Sequence, residues 1–213
     1  MRLVEARTLG EGWLAVSRAI LDSGADATYD EHVTKELSLL TLAVAEPDPA
    51  DELIASLADP DWLDWMRRNF TEPDDVPELG GARSYARRLR DYGGRDQVAW
   101  VIERLREDPE TRSAAITTFQ PHGDTSYIPC VSLLDFWRPQ GSLELVVYAH
   151  SLDFGKKAYG NLVELARLQL EVARAVGVPI GPLVIHAKSA HLYEPEFELM
   201  RQRVEIRSPQ PVV

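Results

Sequence analysis

One long amphipathic segment, from Ala158 to Val176, limits the folds open to this chain of 213 residues. Its apolar residues recur at helical spacing, and Gly177 supplies a C-terminal stop. Before it, a turn at residues 139–141 joins two runs of strand-forming residues into a predicted antiparallel hairpin. After it, residues 183–186 form a further apolar run that predicts a buried strand. A helix enclosed by strands predicts an α/β (α+β) protein with a shared core.

The rest of the chain alternates between the same two kinds of element. Apolar spacing and helix stop signals predict four further helices, at 12–22, 51–57, from Pro60 onward, and at 96–106. Runs of strand-forming residues predict strands at 33–46, 114–119, from Cys130 onward, and at 142–148. Several elements thus contribute to one core.

The segments between these elements are predicted to be loops and turns. Prolines and glycines interrupt residues 71–81, which predicts a loop. His191-Leu192-Tyr193 is predicted to form a turn after the last strand. The arginines after the 71–81 loop are expected to lie mainly on a solvated helical face: Arg83, Arg87, Arg88 and Arg90.

The charge of the chain argues against one class of partner. Lys and Arg number 23 against 34 Asp and Glu, and the net charge of −11 argues against general binding to nucleic acid. A small anionic ligand is still compatible with this charge, because a few local arginines can hold one phosphate. Five scattered histidines and one cysteine show no metal-ligand spacing, so no metal site is predicted.

The composition is that of an ordinary globular protein. With 45% hydrophobic and 27% charged residues, the chain is expected to form one domain over residues 1–213. A single cysteine cannot form an internal disulfide, which is typical of a reducing compartment. The sequence shows no signal peptide and no apolar run of membrane-spanning length. A cytoplasmic location without membrane contact is therefore expected.

The one cysteine, Cys130, follows Pro129 at the start of an apolar run. A lone thiol in such a place is usually a small buried hydrophobic side chain. Polar residues further along the chain support a second interpretation, because separate elements supply them: residues 150–153 after the next strand, Asn161 in the long helix, and residues 191–193 near the end. A nucleophile with such partners is the pattern that covalent catalysis needs.

Taken together, these residues resemble the thymidylate synthase and pyrimidine nucleotide hydroxymethylase family, over about residues 85–193. Pro129-Cys130 is similar to the proline-cysteine nucleophile of that family. The other matches follow the family's order and spacing: Arg112 at the phosphate arginine, His150-Ser151-Leu152-Asp153 at Arg-Ser-x-Asp, Asn161 at the base-reading asparagine, and Ser189-Ala190-His191-Leu192-Tyr193 at Asp-Ala-His-x-Tyr.

The resemblance implies a mixed sheet flanked by helices and an obligate homodimer formed through that sheet, in which Arg112 reaches the partner's site. It also implies a reaction. The thiolate of Cys130 adds to C6 of a pyrimidine nucleotide monophosphate, and C5 then attacks the one-carbon unit of 5,10-methylenetetrahydrofolate. Asn161 at the base-reading position favours uracil over cytosine.

The same resemblance implies a role for each candidate residue. Catalytic roles fall to Cys130, Glu52 and Tyr85; nucleotide binding to Arg112, His150, Ser151, Asn161, His191 and Tyr193; and folate binding to Asp153, Trp62 and Trp65. Two of these assignments have ordinary alternatives. Glu52 is also compatible with an exposed helical glutamate, and Trp62 with core packing, whereas Trp65 is equally compatible with lining a flat ligand.

Departures from the family pattern leave the activity open. His150 replaces a phosphate-binding arginine and Ser113 a second one, so Lys156, Lys157 or Arg87 would have to substitute. Residues 155–160 replace an apolar stretch that walls the folate site, Asp135 replaces a glutamine near the nucleophile, and the chain ends about twenty residues after Tyr193. Without the family's closing tail, water capture to a hydroxymethyl product competes with methylation. A nucleotide-binding homologue without folate chemistry and a folate-independent C5 exchange remain alternatives.

Overall fold

A mixed sheet of eight strands is the centre of the structure, a computed structural model that describes residues 1–29, 31–124 and 127–206. A separate ribbon of two short strands, β4 and β5, lies outside it. The strands are β1 (Arg2–Ala6), β2 (Ala25–Tyr29), β3 (His32–Val44), β4 (Asp75–Val76), β5 (Ala82–Arg83), β6 (Ala115–Thr117), β7 (Val131–Trp137), β8 (Leu143–Ala149), β9 (Leu152–Asp153) and β10 (Ile180–Tyr193).

Helices cover one face of this sheet, and most of them begin at a residue whose side chain caps the first turn. They are α1 (Leu9–Ser23), α2 (Glu52–Leu57), α3 (Pro60–Thr71), α4 (Tyr85–Arg90), α5 (Gln97–Glu107), α6 (Ala158–Val176) and α7 (Phe197–Glu205). The capping side chains, which accept hydrogen bonds from orphan N–H groups, are those of Thr8, Asp51, Asp59, Ser84 and Asp96.

Strand β10 organises the sheet because it pairs with strands on both sides. It runs antiparallel to β3 and parallel to β8, while β7 and β8 form an antiparallel hairpin. The strand order is β1-β3-β10-β8-β7-β6, with β2 on β3 and β9 on β10. The short β9 therefore lies beside the C-terminal half of β10, next to the end of β8.

The two faces of the sheet differ in burial. Alternate residues such as Leu145, Val147 and Ile185 point into the core against the helices. The opposite face carries large apolar side chains that stay exposed, among them Tyr148 at 42% and Leu133 at 42%, which are register partners across β7 and β8. That outer face therefore exposes large apolar side chains that no other described element covers.

The predicted fold class is confirmed, and so are the bounds of α6 and the β7–β8 hairpin. The structure differs from the sequence interpretation in several details. His191 and Tyr193 lie in strand β10 and not in a turn, because residues 189–193 pair with β3. Strands β1 and β2 were not foreseen. Arg88 is buried with 1% exposure, whereas a solvated position was expected.

Among the described residues, none of the helices combines the length and the apolar character that crossing a membrane requires.

Candidate active site

Cys130 lies immediately before β7, half-buried, with tyrosines from two other segments beside it. The hydroxyl of Tyr85, at the start of α4, accepts a hydrogen bond of 3.0 Å from the backbone N–H of Val131. The Tyr85 ring stacks on Phe70, with 4.6 Å between ring centroids. The phenol of Tyr127 hydrogen-bonds the thiol itself. One tyrosine hydroxyl therefore contacts the thiol, and a second one binds the N–H of the next residue.

Opposing effects act on the ionisation of Cys130. Burial raises the pKa of the thiol, and the Asp153 carboxylate adds to that rise. The Lys157 ammonium and the hydrogen bond from Tyr127 act against it. Because the effect of burial is the largest, the thiol form is favoured at neutral pH. The Lys157 ammonium and the Tyr127 hydrogen bond partly offset that effect and increase the fraction of reactive thiolate.

Asp153 and His191 meet beside this cysteine because β9 pairs with β10, where the two residues are register partners. Burial disfavours both charges: it raises the pKa of Asp153 and lowers that of His191. Nδ1 of His191 lies 3.5 Å from the hydroxyl of Ser151 and 3.4 Å from that of Ser189. The backbone N–H of His150 donates to the carbonyl of Cys130 over 3.0 Å, which ties the two groups together.

Asn161 is buried in the first turn of α6 and has an unused acceptor. Its Nδ2 donates to the carbonyl of Lys157 over 3.2 Å. Its Oδ1 is buried, and no hydrogen-bond partner reaches it among the described residues. Because a buried polar atom without a partner is costly, this oxygen is a candidate ligand contact.

Trp62 and Trp65 form the apolar side of the same region. Their rings meet edge-on, with centroids 5.4 Å apart, and the ammonium of Lys157 lies 5.7 Å from each centroid. Close packing of α3 on α6 places them there, since a Cβ at Gly160 would lie only 2.8 Å from the Cβ of Met66. Both tryptophans are only partly buried, so ring surface stays accessible.

Two predicted site residues stand apart from this cluster. Glu52 is exposed in the first turn of α2, and in the described part of the chain no hydrogen bond or ion pair joins it to the cluster. Arg112 is exposed before β6, whose antiparallel register with β7 puts Arg112 at the end far from Cys130.

The remaining predicted residues lie at the edge of the cluster. His150 is half-buried, and burial together with the Lys188 charge lowers the pKa of its imidazole. The ring of Tyr193 packs edge-on against His191, with 5.1 Å between centroids, and against His32 at 6.0 Å.

Three features of the site were missed by reasoning from sequence. Tyr127 had no assigned role, and Lys157 was considered only as a substitute phosphate ligand. The signal that could have marked Lys157 was its position in a stretch that is apolar in the family. Arg88 forms a buried ion pair of 2.8 Å with Asp124, next to the two tyrosines, and no local pattern indicated it.

Comparisons with known proteins agree on one family. Residues 51–213 match the family model described as thymidylate synthase. A protein of Methanopyrus kandleri is 32% identical, over 92% of this chain and 94% of its own length. Proteins of Methanothermobacter marburgensis and Methanosarcina barkeri are 31% and 28% identical, over 92% and 96% of this chain and 95% of each relative. All three carry the name "putative thymidylate synthase".

Proposed function

Because the chain belongs to the thymidylate synthase family, we propose that it transfers a one-carbon unit from methylenetetrahydrofolate to C5 of a pyrimidine nucleotide monophosphate. The observation that carries the proposal is the single cluster around Cys130, in which Tyr85 and Asp153 come from elements far apart in the chain. Such convergence of a nucleophile with donors and acceptors is what covalent catalysis requires.

The proposed first step is addition of the Cys130 thiolate to C6. An S–C6 bond forms, and the electron pair of the C5–C6 double bond moves toward O4, which makes C5 nucleophilic. The unpartnered Oδ1 of Asn161 is suited to accept the N3–H of a uracil base. Tyr85, next to the thiol, is placed to assist removal of the C5 proton, and Glu52 is the candidate for ordering water at O4.

The residues around Asp153 fit a pterin ring. Oδ1 of Asp153 accepts from the N–H groups of Gly155 (2.9 Å) and Lys156 (3.3 Å), and no hydrogen bond to its Oδ2 is present in the described residues. That oxygen is an acceptor for the N–H edge of the ring, and Trp62 and Trp65 offer ring surface beside it. Methylenetetrahydrofolate bound there would supply the one-carbon unit.

The proposal includes a homodimer formed through the outer face of the sheet. Its support is the exposed apolar surface, in which Leu39 (59%), Leu133 (42%), Trp137 (41%) and Tyr148 (42%) take part. In a dimer of this kind Arg112, far from Cys130 in its own subunit, would serve the partner's site. His191, Ser151 and Tyr193 would hold the ribose, and His150 the phosphate.

The test is a covalent adduct with a 5-fluoropyrimidine nucleotide, whose C5–F bond blocks the step that releases the enzyme. The protein is incubated with 5-fluoro-dUMP and methylenetetrahydrofolate, and its intact mass is measured. We expect a mass gain equal to nucleotide plus folate, which is lost in Cys130→Ala. Parallel reactions with 5-fluoro-UMP and 5-fluoro-CMP identify the sugar and the base.

One observation favours a second function for the site: the pKa of the Cys130 thiol is raised, which opposes nucleophilic attack. This second function is nucleotide binding without folate chemistry. A mass gain equal to the nucleotide alone would indicate thiol addition only. A nucleotide-induced rise in unfolding temperature without any adduct would indicate the binding homologue, and the absence of both would contradict the proposed family activity.

A further inference from the structure

Two neighbouring lysines before α6 have ammonium groups in different surroundings. Nζ of Lys156 lies 2.6 Å from the carboxylate of Glu196, whose side chain is only 6% exposed. Nζ of Lys157 lies between Trp62 and Trp65, 5.7 Å from each ring centroid, and no carboxylate pairs with it in the described ranges of the chain. Among the described residues, the half-buried Lys157 therefore has no anionic partner.

Backbone hydrogen bonds hold Lys157 at the cysteine cluster. Its N–H donates to the carbonyl of Asp153 over 3.1 Å. Its own carbonyl accepts from the backbone N–H of Asn161 at 3.0 Å and from the side-chain Nδ2 at 3.2 Å. The backbone of Lys157 is thus fixed to two residues of the candidate site, Asp153 and Asn161.

The groups facing Cys130 come from four elements. Tyr85 approaches from α4, Tyr127 from the preceding loop, Asp153 from β9 and Lys157 from the start of α6. Among the described residues that act on the thiol, Lys157 carries the positive charge, and its effect opposes burial more than any other. His150 cannot supply that charge at neutral pH, since burial lowers the pKa of its imidazole.

We propose that Lys157 stabilises the thiolate of Cys130. The inference rests on the proposed role of Cys130 as nucleophile. When the thiol proton passes to water, the sulfur becomes an anion in a partly dry site, and the ammonium beside the two tryptophans is its counter-charge. Tyr127 adds a hydrogen bond to the same sulfur.

The pH dependence of alkylation tests this role on the only cysteine of the chain. Iodoacetamide reacts with the thiolate, which displaces iodide, so the midpoint of the rate profile reports ionisation of Cys130. We expect Lys157→Met to raise that midpoint by about one pH unit, so that alkylation below it slows about tenfold. Lys157→Arg, which keeps the charge, should leave the midpoint near that of the wild-type protein.

The double variant Lys156→Met/Glu196→Gln is the matched control, because it removes a neighbouring ammonium together with the charge of the buried carboxylate that pairs with it. It should leave the thiol midpoint unchanged. An unshifted midpoint in Lys157→Met, or an equal shift in both variants, would overturn the proposal. Lys157→Gln provides the same comparison if the methionine variant does not fold.

Alkylation requires neither nucleotide nor folate, and this separates the two proposals. A shifted midpoint together with no adduct from any of the three 5-fluoropyrimidine nucleotides contradicts the proposed transfer activity alone. An adduct together with an unshifted midpoint contradicts the role of Lys157 alone.

Discussion

His150 occupies the position at which the resemblance implies a phosphate ligand, but its surroundings oppose protonation. Burial and the Lys188 charge lower the pKa of the imidazole, so the ring is neutral at pH 7 and gains a proton only below its ordinary range near pH 6.5. We expect the wild-type protein and His150→Gln to bind dUMP equally between pH 7 and 8. Below about pH 6.5 the wild-type protein should gain affinity, reaching about tenfold, or about 1.4 kcal/mol.

Isothermal titration calorimetry across this pH range measures the difference between the two proteins. The phosphate itself titrates near pH 6, and the ratio of the two Kd values removes that contribution. Deoxyuridine, which has no phosphate, is the control ligand and should show no pH-dependent difference. A difference that is already present at pH 8, or absent at every pH, would contradict a phosphate contact by a His150 with lowered pKa.

The sequence predicted which residues lie together where a short motif marks them. It missed residues that come together only through the fold. Cys130, Asp153 and His191 belong to short patterns whose order along the chain carries information, and the structure brings them together. Lys157 becomes conspicuous only once α3 and α6 place two tryptophans around it. Among the described residues no hydrogen bond or ion pair joins Glu52 to the site, so its catalytic role stays a prediction.

Helix α4 is joined to the loop after β6 by a buried ion pair. Arg88 and Asp124 side chains are 1% and 4% exposed, and Arg88 also donates to the carbonyls of Arg83 (3.0 Å) and Thr118 (2.9 Å). Removal of one partner leaves an unpaired buried charge, which costs about 3–5 kcal/mol. We expect Arg88→Met to lower the free energy of unfolding by about that amount, as measured by urea denaturation at fixed protein concentration.

Arg87→Met is the comparison for the ion pair, because Arg87 lies one residue away in the same helix. Its partner Asp75 is 3.0 Å away, and the two side chains are 42% and 56% exposed, so the loss should stay below about 1 kcal/mol. The double variant Arg88→Met/Asp124→Leu should recover part of the loss. Equal losses of unfolding free energy in Arg88→Met and Arg87→Met would contradict a larger contribution from the buried pair.

Helices and strands show the same contrast: those determined by local residues were predicted, and those determined by distant residues were missed. Helix α6 has a regular apolar face and ends at Gly177, whose φ of 75° is left-handed, so its bounds were predicted from sequence alone. The C-terminal half of β10 has no such signal. It is extended because it pairs with β3, as at Tyr193 and Thr34, and such pairing overrides local preference. Burial of Arg88 likewise depends on Asp124, which is distant in sequence.

At the scale of the whole molecule, the proposed homodimer would account both for the exposed apolar side chains of the sheet and for the position of Arg112. The face carries apolar pairs on neighbouring strands, with Leu133 opposite Tyr148 and Val146 opposite Val184, beside polar residues such as Asp135 and His186. Arg112 is exposed at the end of β6 remote from Cys130. A second copy packed on this face would cover the apolar surface, and it would also place a guanidinium from one subunit near the other subunit's cleft.

Mixing two inactive variants tests that arrangement. We expect Cys130→Ala and Arg112→Ala to be weakly active or inactive alone, and to regain activity when equal amounts are unfolded together and refolded. Random pairing makes about half of the dimers mixed, each with one intact site, so turnover should reach about a quarter of the wild-type value. Cys130→Ala mixed with Tyr85→Phe is the control and should regain nothing, because Tyr85 contacts the segment of Cys130 within one chain. If Arg112 acts in its own subunit, every site in the mixed dimer keeps one defect, and no recovery will be seen with either pair.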